Sequence, residues 1–235
     1  MLLFPEPPAA GDAARWETLF DSEFGDEPRV RHRSFGWDLT DGVTGAALEE
    51  FGPRGYDIEA SVGLMADAGA LAPHPRENRD VHVRALDPMP GADTDLWDAV
   101  VELQVASRDE GHAEEGHRIF SRARLADRRA LFQPGRGAWY VALDPEHGEV
   151  AASCGVVVTS GRGAFQVVDT ALAYRRRGIC SRLVVEAARN SAETFAAERF
   201  VMVADAGYHA LGLYESLGFR PEERVFGACL WPRGE

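Results

Sequence analysis

The chain has no lysine; all 25 of its basic side chains are arginines. That absence excludes a Schiff-base or nucleophilic lysine. Cysteine is also scarce. Cys154, Cys180 and Cys229 are odd in number, far apart and form no C-x-x-C pair. They give neither a disulfide framework nor a thiolate metal site, and fit a reducing compartment. No run approaches the roughly 18 apolar residues of a membrane span. Met1-Leu2-Leu3-Phe4 runs straight into Pro5, with no basic or apolar leader pattern. The expectation is a soluble, cytoplasmic protein with no membrane partner.

Positive charge is in deficit too, with 38 acidic residues and a net charge of −13. Phosphate repulsion then argues against a nucleic-acid or anionic-membrane binder, while an amine or cationic substrate is compatible. The seven histidines are scattered. His112 and His117 flank Glu114-Glu115 without a further ligand at zinc spacing, so no metal is expected.

What remains is 235 residues, 45% of them hydrophobic, enough for one domain plus a smaller one. Ala72-Pro73-His74-Pro75-Arg76-Glu77-Asn78 reads as a linker dividing an N-terminal segment, 1–75, from a main domain, 76–235. In the first part Asp12 is a candidate helix cap, with Trp16, Leu19 and Phe20 on one face up to about Phe24. Arg33 to Leu39 and Tyr56 to Met65 read as strands. So few apolar runs make a poor independent core. This segment is expected to pack on the rest of the chain or on a second subunit, which makes a homodimer possible to test for. Trp16 to Phe24 followed by Arg33 to Trp37 faintly echoes Leu213 to Phe219 followed by Phe226 to Ala228. Either a degenerate repeat or an unrelated extension accounts for it.

After the linker the pattern is regular. Val81 to Leu86 alternates as a strand. Asp93 or Thr94 can cap a helix carrying Leu96, Trp97, Val100, Val101 and Leu103. A second helix spans about Glu114 to Phe132. Ala138 to Leu143 and Val150 to Val158 read as strands, then Ser160-Gly161-Arg162-Gly163 as a turn and Phe165 to Thr170 as a strand. A helix follows from about Gly178 to Phe195, a strand at Phe200 to Val203, a helix from Tyr208 to Leu217 stopped by Gly218, and a strand from Val225 to Trp231. The order β-α-α-β-β-β-α-β-α-β predicts an α/β (α+β) fold, a mixed sheet with helices on both faces.

Chemistry concentrates where the strand ending Val168-Asp169-Thr170 meets Ala171-Leu172-Ala173-Tyr174-Arg175-Arg176-Arg177-Gly178-Ile179-Cys180-Ser181. A helix N-terminus offers unsatisfied N–H groups and about half a positive charge. A glycine admits an anion to the backbone, and three arginines add donors suited to phosphate oxygens. By itself this is a phosphate site.

The spacing resembles the Q/R-x-x-G-x-G/A signature of the GNAT acetyltransferase superfamily, with Arg175, Gly178 and Cys180 at the marked places. Cys180 replaces the usual Gly or Ala. Ala210-Leu211-Gly212-Leu213-Tyr214-Glu215-Ser216-Leu217-Gly218-Phe219 resembles the second hallmark, A-x-x-L-Y-x-x-x-G-F, with Gly207 in place of a frequent Asn. The two stand in the family's order, and the likeness covers about Val81 to Trp231.

That resemblance implies a splayed sheet, with acetyl-CoA as co-substrate and no metal. Its pantetheine arm would pair with backbone near Val168 and Thr170. Its pyrophosphate would lie on Arg175, Arg176, Arg177, Gly178, Ile179, Cys180 and Ser181. The acceptor is an amine of a small molecule or peptide. Tyr214 is then the candidate acid for the departing thiolate. Asp169 is a candidate base, with Glu102 and Glu149 behind it and a water chain as an alternative. Glu110 to Glu115 hints at a cationic partner. A catalytically silent acyl-CoA sensor of the same fold is the rival reading. A dinucleotide enzyme is disfavoured, because no G-x-G-x-x-G opens a βαβ unit.

Overall fold

The computed structural model describes residues 1–28, 30, 32–108, 111, 113–207 and 210–231. Its elements run β1 (Leu2–Phe4), α1 (Asp12–Phe24), β2 (Arg33–Trp37), β3 (Asp57–Asp67), β4 (His82–Ala85), α2 (Thr94–Ala106), α3 (Glu114–Phe132), β5 (Gly137–Leu143) and β6 (Val150–Thr159). They continue with β7 (Arg162–Thr170), α4 (Ile179–Phe195), β8 (Arg199–Asp205), α5 (Leu211–Ser216) and β9 (Arg220–Leu230). The chain divides into two compact units, one drawn from 1–64, 203–211 and 221–235, the other from 65–202 and 212–220.

In the first unit β1 runs parallel to β2, and β2 pairs antiparallel with β9, Phe35 opposite Ala228. The core is aromatic. Trp16 stacks on Phe4 with ring centroids 3.8 Å apart, and Phe20, Phe35, Trp37, Phe51 and Tyr56 are buried with it. Phe226, Ala228 and Leu230 of β9 complete this cluster. A segment poor in apolar runs thus reaches a core through a few large rings, each removing 150–250 Å2 from water, and through a strand supplied from the far end of the chain.

In the second unit the strand order is β8-β7-β6-β5-β4. The β7–β8 pair is parallel and the others are antiparallel. Trp139 and Val141 of β5 face α2 and α3, in a core with Trp97, Val100, Val101, Leu125 and Phe132. Tyr140, between them, points the other way and shares a hydrogen bond with Ser191 of α4 (2.9 Å). Side chains alternate along a strand, so helices cover both faces. Trp139 lies over Gly155, where a Cβ would come within 2.6 Å of its ring.

Several local readings need correction. Asp12 does not cap α1: Gly11 is the capping residue, and the Asp12 carboxylate accepts the Ala9 N–H (2.9 Å). Asp93 stands at the N-cap of α2 without a side-chain cap bond. Its carboxylate binds Arg84 (2.7 and 2.9 Å) and the Asp87 N–H (2.8 Å), and its pKa falls to about 2, mainly through Arg84. The β6–β7 turn is two residues, Ser160 and Gly161, both at positive φ. That is the twist-matched geometry of a tight hairpin, so Arg162 and Gly163 join the strand. The helix expected from Tyr208 is described from Leu211; Tyr208 and His209 lie outside the described residues. Strand β1 has only three residues, too short to show a period.

Candidate functional site

The β7–β8 ladder consists of three pairs, Arg162↔Arg199, Gly163↔Phe200 and Ala164↔Val201. On its other side β7 follows β6 to Thr170, but with a slip. Gly155 faces Gln166 and Ser153 faces Asp169, so Val167 and Val168 together oppose Cys154. Two residues against one is a β-bulge. Val167 has φ 39°, a conformation that a β-branched residue rarely adopts. Strain of this kind costs about 1–3 kcal/mol and gathers at working sites. The bulge shifts the register with β6, which pairs again at Asp169 and Thr170, while the pairs with β8 end at Ala164.

Beyond Thr170, Leu172–Tyr174 form a single 3-10 turn, followed by the exposed Arg175, Arg176 and Arg177. Arg175 donates from Nε to the Thr170 carbonyl (3.1 Å). Arg177 lies over the Tyr174 ring at 5.4 Å, and the Tyr174 hydroxyl donates to Glu149 (3.2 Å). Among the described residues none of the three arginines makes an ion pair. Helix α4 begins without a side-chain cap, which leaves its first amides to another acceptor.

Gly178, the N-cap at φ 76°, has a neighbour that the motif does not reveal. A Cβ there would fall 2.1 Å from the Arg76 carbonyl oxygen and 2.8 Å from the Asn78 nitrogen. The open side of this glycine holds the linker backbone. Glu77, its side chain only 5% exposed, sits there 3.5 Å from Arg182 and 3.4 Å from Arg79. Cys180 is half-buried and bonded to Thr170; burial pushes its thiol up to about 12. A raised thiol pKa disfavours the thiolate, the reactive form of cysteine.

Asp169 lies opposite Ser153, and Ser153 opposite Val141. Opposed side chains share a face, so Asp169 projects on the side of α2 and α3. Burial raises its carboxyl to about 6, against the pull of Arg175 and Arg124. On the same side lies a cavity of about 40 Å3 lined by Gln104, Arg124, Leu125, Arg128, Trp139, Gln166 and Val167. Tyr214 is buried and stands in a ring series with Phe219 (6.3 Å) and, through it, Phe165 of β7 (6.0 Å). Of the lesser base candidates, Glu102 is held by Arg118 (2.9 and 3.0 Å), which depresses its pKa. Glu149 is engaged by Tyr174. Glu114 and Glu115 pair with the same Arg118; Glu110 and His112 lie outside the described residues.

The model of the Acetyltransferase (GNAT) family matches residues 97–219, more than half of the chain. The chain belongs to the GNAT family. Solved structures share the fold. A functionally unknown conserved protein of Staphylococcus epidermidis ATCC 12228 aligns with TM-score 0.74 at 12% identity, over 98% of this chain and 84% of that one. GCN5-related N-acetyltransferases of Sphaerobacter thermophilus (TM-score 0.64, 18% identity, 94% and 68% covered) and Kribbella flavida (0.61, 16%, 98% and 79%) follow. No curated protein sequence matches. At these identities the structural likeness speaks for the fold.

The GNAT match spans both sequence motifs. The start of α4, without a side-chain cap, and the adjoining arginines offer N–H donors and positive charge of the kind a phosphate group takes. No anion fits on the Cα face of Gly178, which is filled. Sequence reasoning missed the cavity and its arginines. The available signal was charge: α3 carries Arg118, Arg122, Arg124, Arg128 and Arg129 in a chain of net charge −13. Among the described residues no helix is long and apolar enough to cross a membrane.

Proposed function

We propose that this GNAT protein is an acetyl-CoA-dependent N-acetyltransferase acting on the amine of a small molecule or peptide. The observation that carries the reading is the bulged end of β7, beyond its last pair with β8, running through three arginines without an ion pair among the described residues into a helix N-terminus without a side-chain cap. Backbone groups near Val168 and Thr170 hold the extended arm. The amides of Ile179, Cys180 and Ser181, with the N–H of Gly178, meet the pyrophosphate, and Arg175 to Arg177 balance its charge. Bound acetyl-CoA supplies an activated acyl group: the nitrogen–carbon bond forms as the carbon–sulfur bond breaks. Asp169, ionised above about pH 6, accepts the proton of the incoming amine. Tyr214 donates a proton to the departing thiolate and recovers it from solvent. Three unpaired cysteines fit a cytoplasmic setting.

A silent acyl-CoA-binding module is the second reading, favoured by Gly178 being taken up by packing. The deciding experiment measures coenzyme A binding by calorimetry and thiol release with an amine panel. Binding with turnover supports the enzyme, and binding without turnover supports the module. Arg176→Gln combined with Arg177→Gln should weaken binding at least tenfold without lowering the melting temperature; unchanged affinity would remove the loop from the site.

A further inference from the structure

The cavity between α2, α3 and the bulged strand has a chemical character of its own. Arg124 and Arg128 stand one helical turn apart on α3, both half-buried, and both line it. Like charges at this spacing repel. Among the described residues neither makes an ion pair. Arg124 instead has its cation disfavoured by burial and then by Arg128, with Asp169 acting in the opposite sense. Two residues that line it, 4% and 2% exposed, also carry a buried polar atom without a hydrogen-bond partner: the Gln104 side-chain oxygen and the Trp139 indole N–H. A protein that buries donors and an acceptor unpaired loses stability unless something else satisfies them.

From this arrangement we infer that the cavity receives the carboxylate of the acceptor, and that the acceptor is a small amine carrying a carboxylate, of the amino-acid class. The inference rests on reading the neighbouring site as an acetyl-transfer centre. The volume, about 40 Å3, exceeds the roughly 10–15 Å3 that one water needs, so it has room for a small polar head group. A carboxylate there accepts from both guanidinium groups and relieves their mutual repulsion. Gln166 and Val167 border the cavity, and Asp169 follows two residues beyond Val167 on the same side of the sheet. An amine adjacent to the carboxylate is thereby presented at the bulge, beside Asp169. A polyamine brings no carboxylate for the two arginines.

The test compares L-amino acids with their carboxamides in two assays. One measures acetyl transfer from acetyl-CoA, the other calorimetric binding to protein saturated with coenzyme A. The expected result is kcat/KM at least tenfold higher for the acids. Combining Arg124→Gln with Arg128→Gln should abolish that preference, read as the ratio of acids to carboxamides on the same variant, while coenzyme A affinity stays the same. Arg124→Lys, which keeps the charge, should retain part of it. Carboxamides used as well as the acids, or a preference that survives the double variant, would overturn the carboxylate site while leaving acetyl transfer intact. If no amine turns over, the transfer reading fails and binding decides the cavity separately. Acids that bind where amides do not would uphold it; binding of neither would make it a hydrated void and end the inference.

Discussion

Asn78 donates its backbone N–H to the carbonyl of Gly178 across 3.1 Å, and the linker backbone on either side fills the space that any other residue's Cβ would need. The glycine of the phosphate-binding signature is thus also a packing glycine. At φ 76° a side chain adds strain of about 1–2 kcal/mol before any clash is counted. Gly178→Ala should lower the melting temperature by several degrees, at about 2–4 °C per kcal/mol for a chain of this size. Thermal unfolding checks it. An unchanged melting temperature would mean that the linker does not hold this position in solution.

Asp169 should show its burial in the pH dependence of stability. Its folded value of about 6 lies above the ordinary 3.8. Below about pH 4 the carboxyl is neutral in both states and costs nothing. Between about 4 and 6 the folded form keeps a proton that the unfolded form loses, so stability falls as pH rises, and above about 6 the full cost is present. Asp169→Asn should therefore melt higher than the parent protein at pH 8 and equal to it near pH 4. If Asp169 is the base, the variant also loses about 10²–10⁴ in rate, together with the acidic limb near pH 6. A variant that gains stability at pH 8 but keeps full activity would assign the proton transfer to water.

Tyr214→Phe keeps the ring against Phe219 and removes one hydroxyl. With chemistry rate-limiting, kcat should fall at least tenfold and acetyl-CoA affinity hold. Steady-state kinetics beside direct coenzyme A binding separates the two. Equal kcat would leave Tyr214 as a member of the buried ring series.

Removing residues 1–72 takes Trp16, Phe35 and Trp37 away from Phe226, Ala228 and Leu230 of β9, and uncovers the β9 edge that β2 pairs. An uncovered apolar edge is a template for aggregation. The fragment should bind a hydrophobic dye and sediment as aggregate, whereas a soluble, fully active fragment would mark the segment as dispensable.

The sequence by itself determined the family and the order of elements after the linker. Two spaced motifs and a run of clear periods survive without knowing any contact, because helix and strand periods and helix-start chemistry are local. It also located the arginine turn, since charge and glycine are visible one residue at a time. Only the tertiary structure decided what those residues touch. Gly178 faces the linker, Asp93 holds Arg84 in place of a helix end, and β9 completes a core some 200 residues earlier in the chain. The strained Val167, and the convergence of Arg124, Arg128, Gln104 and Trp139 on one small cavity, were likewise illegible. Strand register and helix rotation place those groups together, and both follow from how the whole sheet packs against α2 and α3, which no local pattern contains.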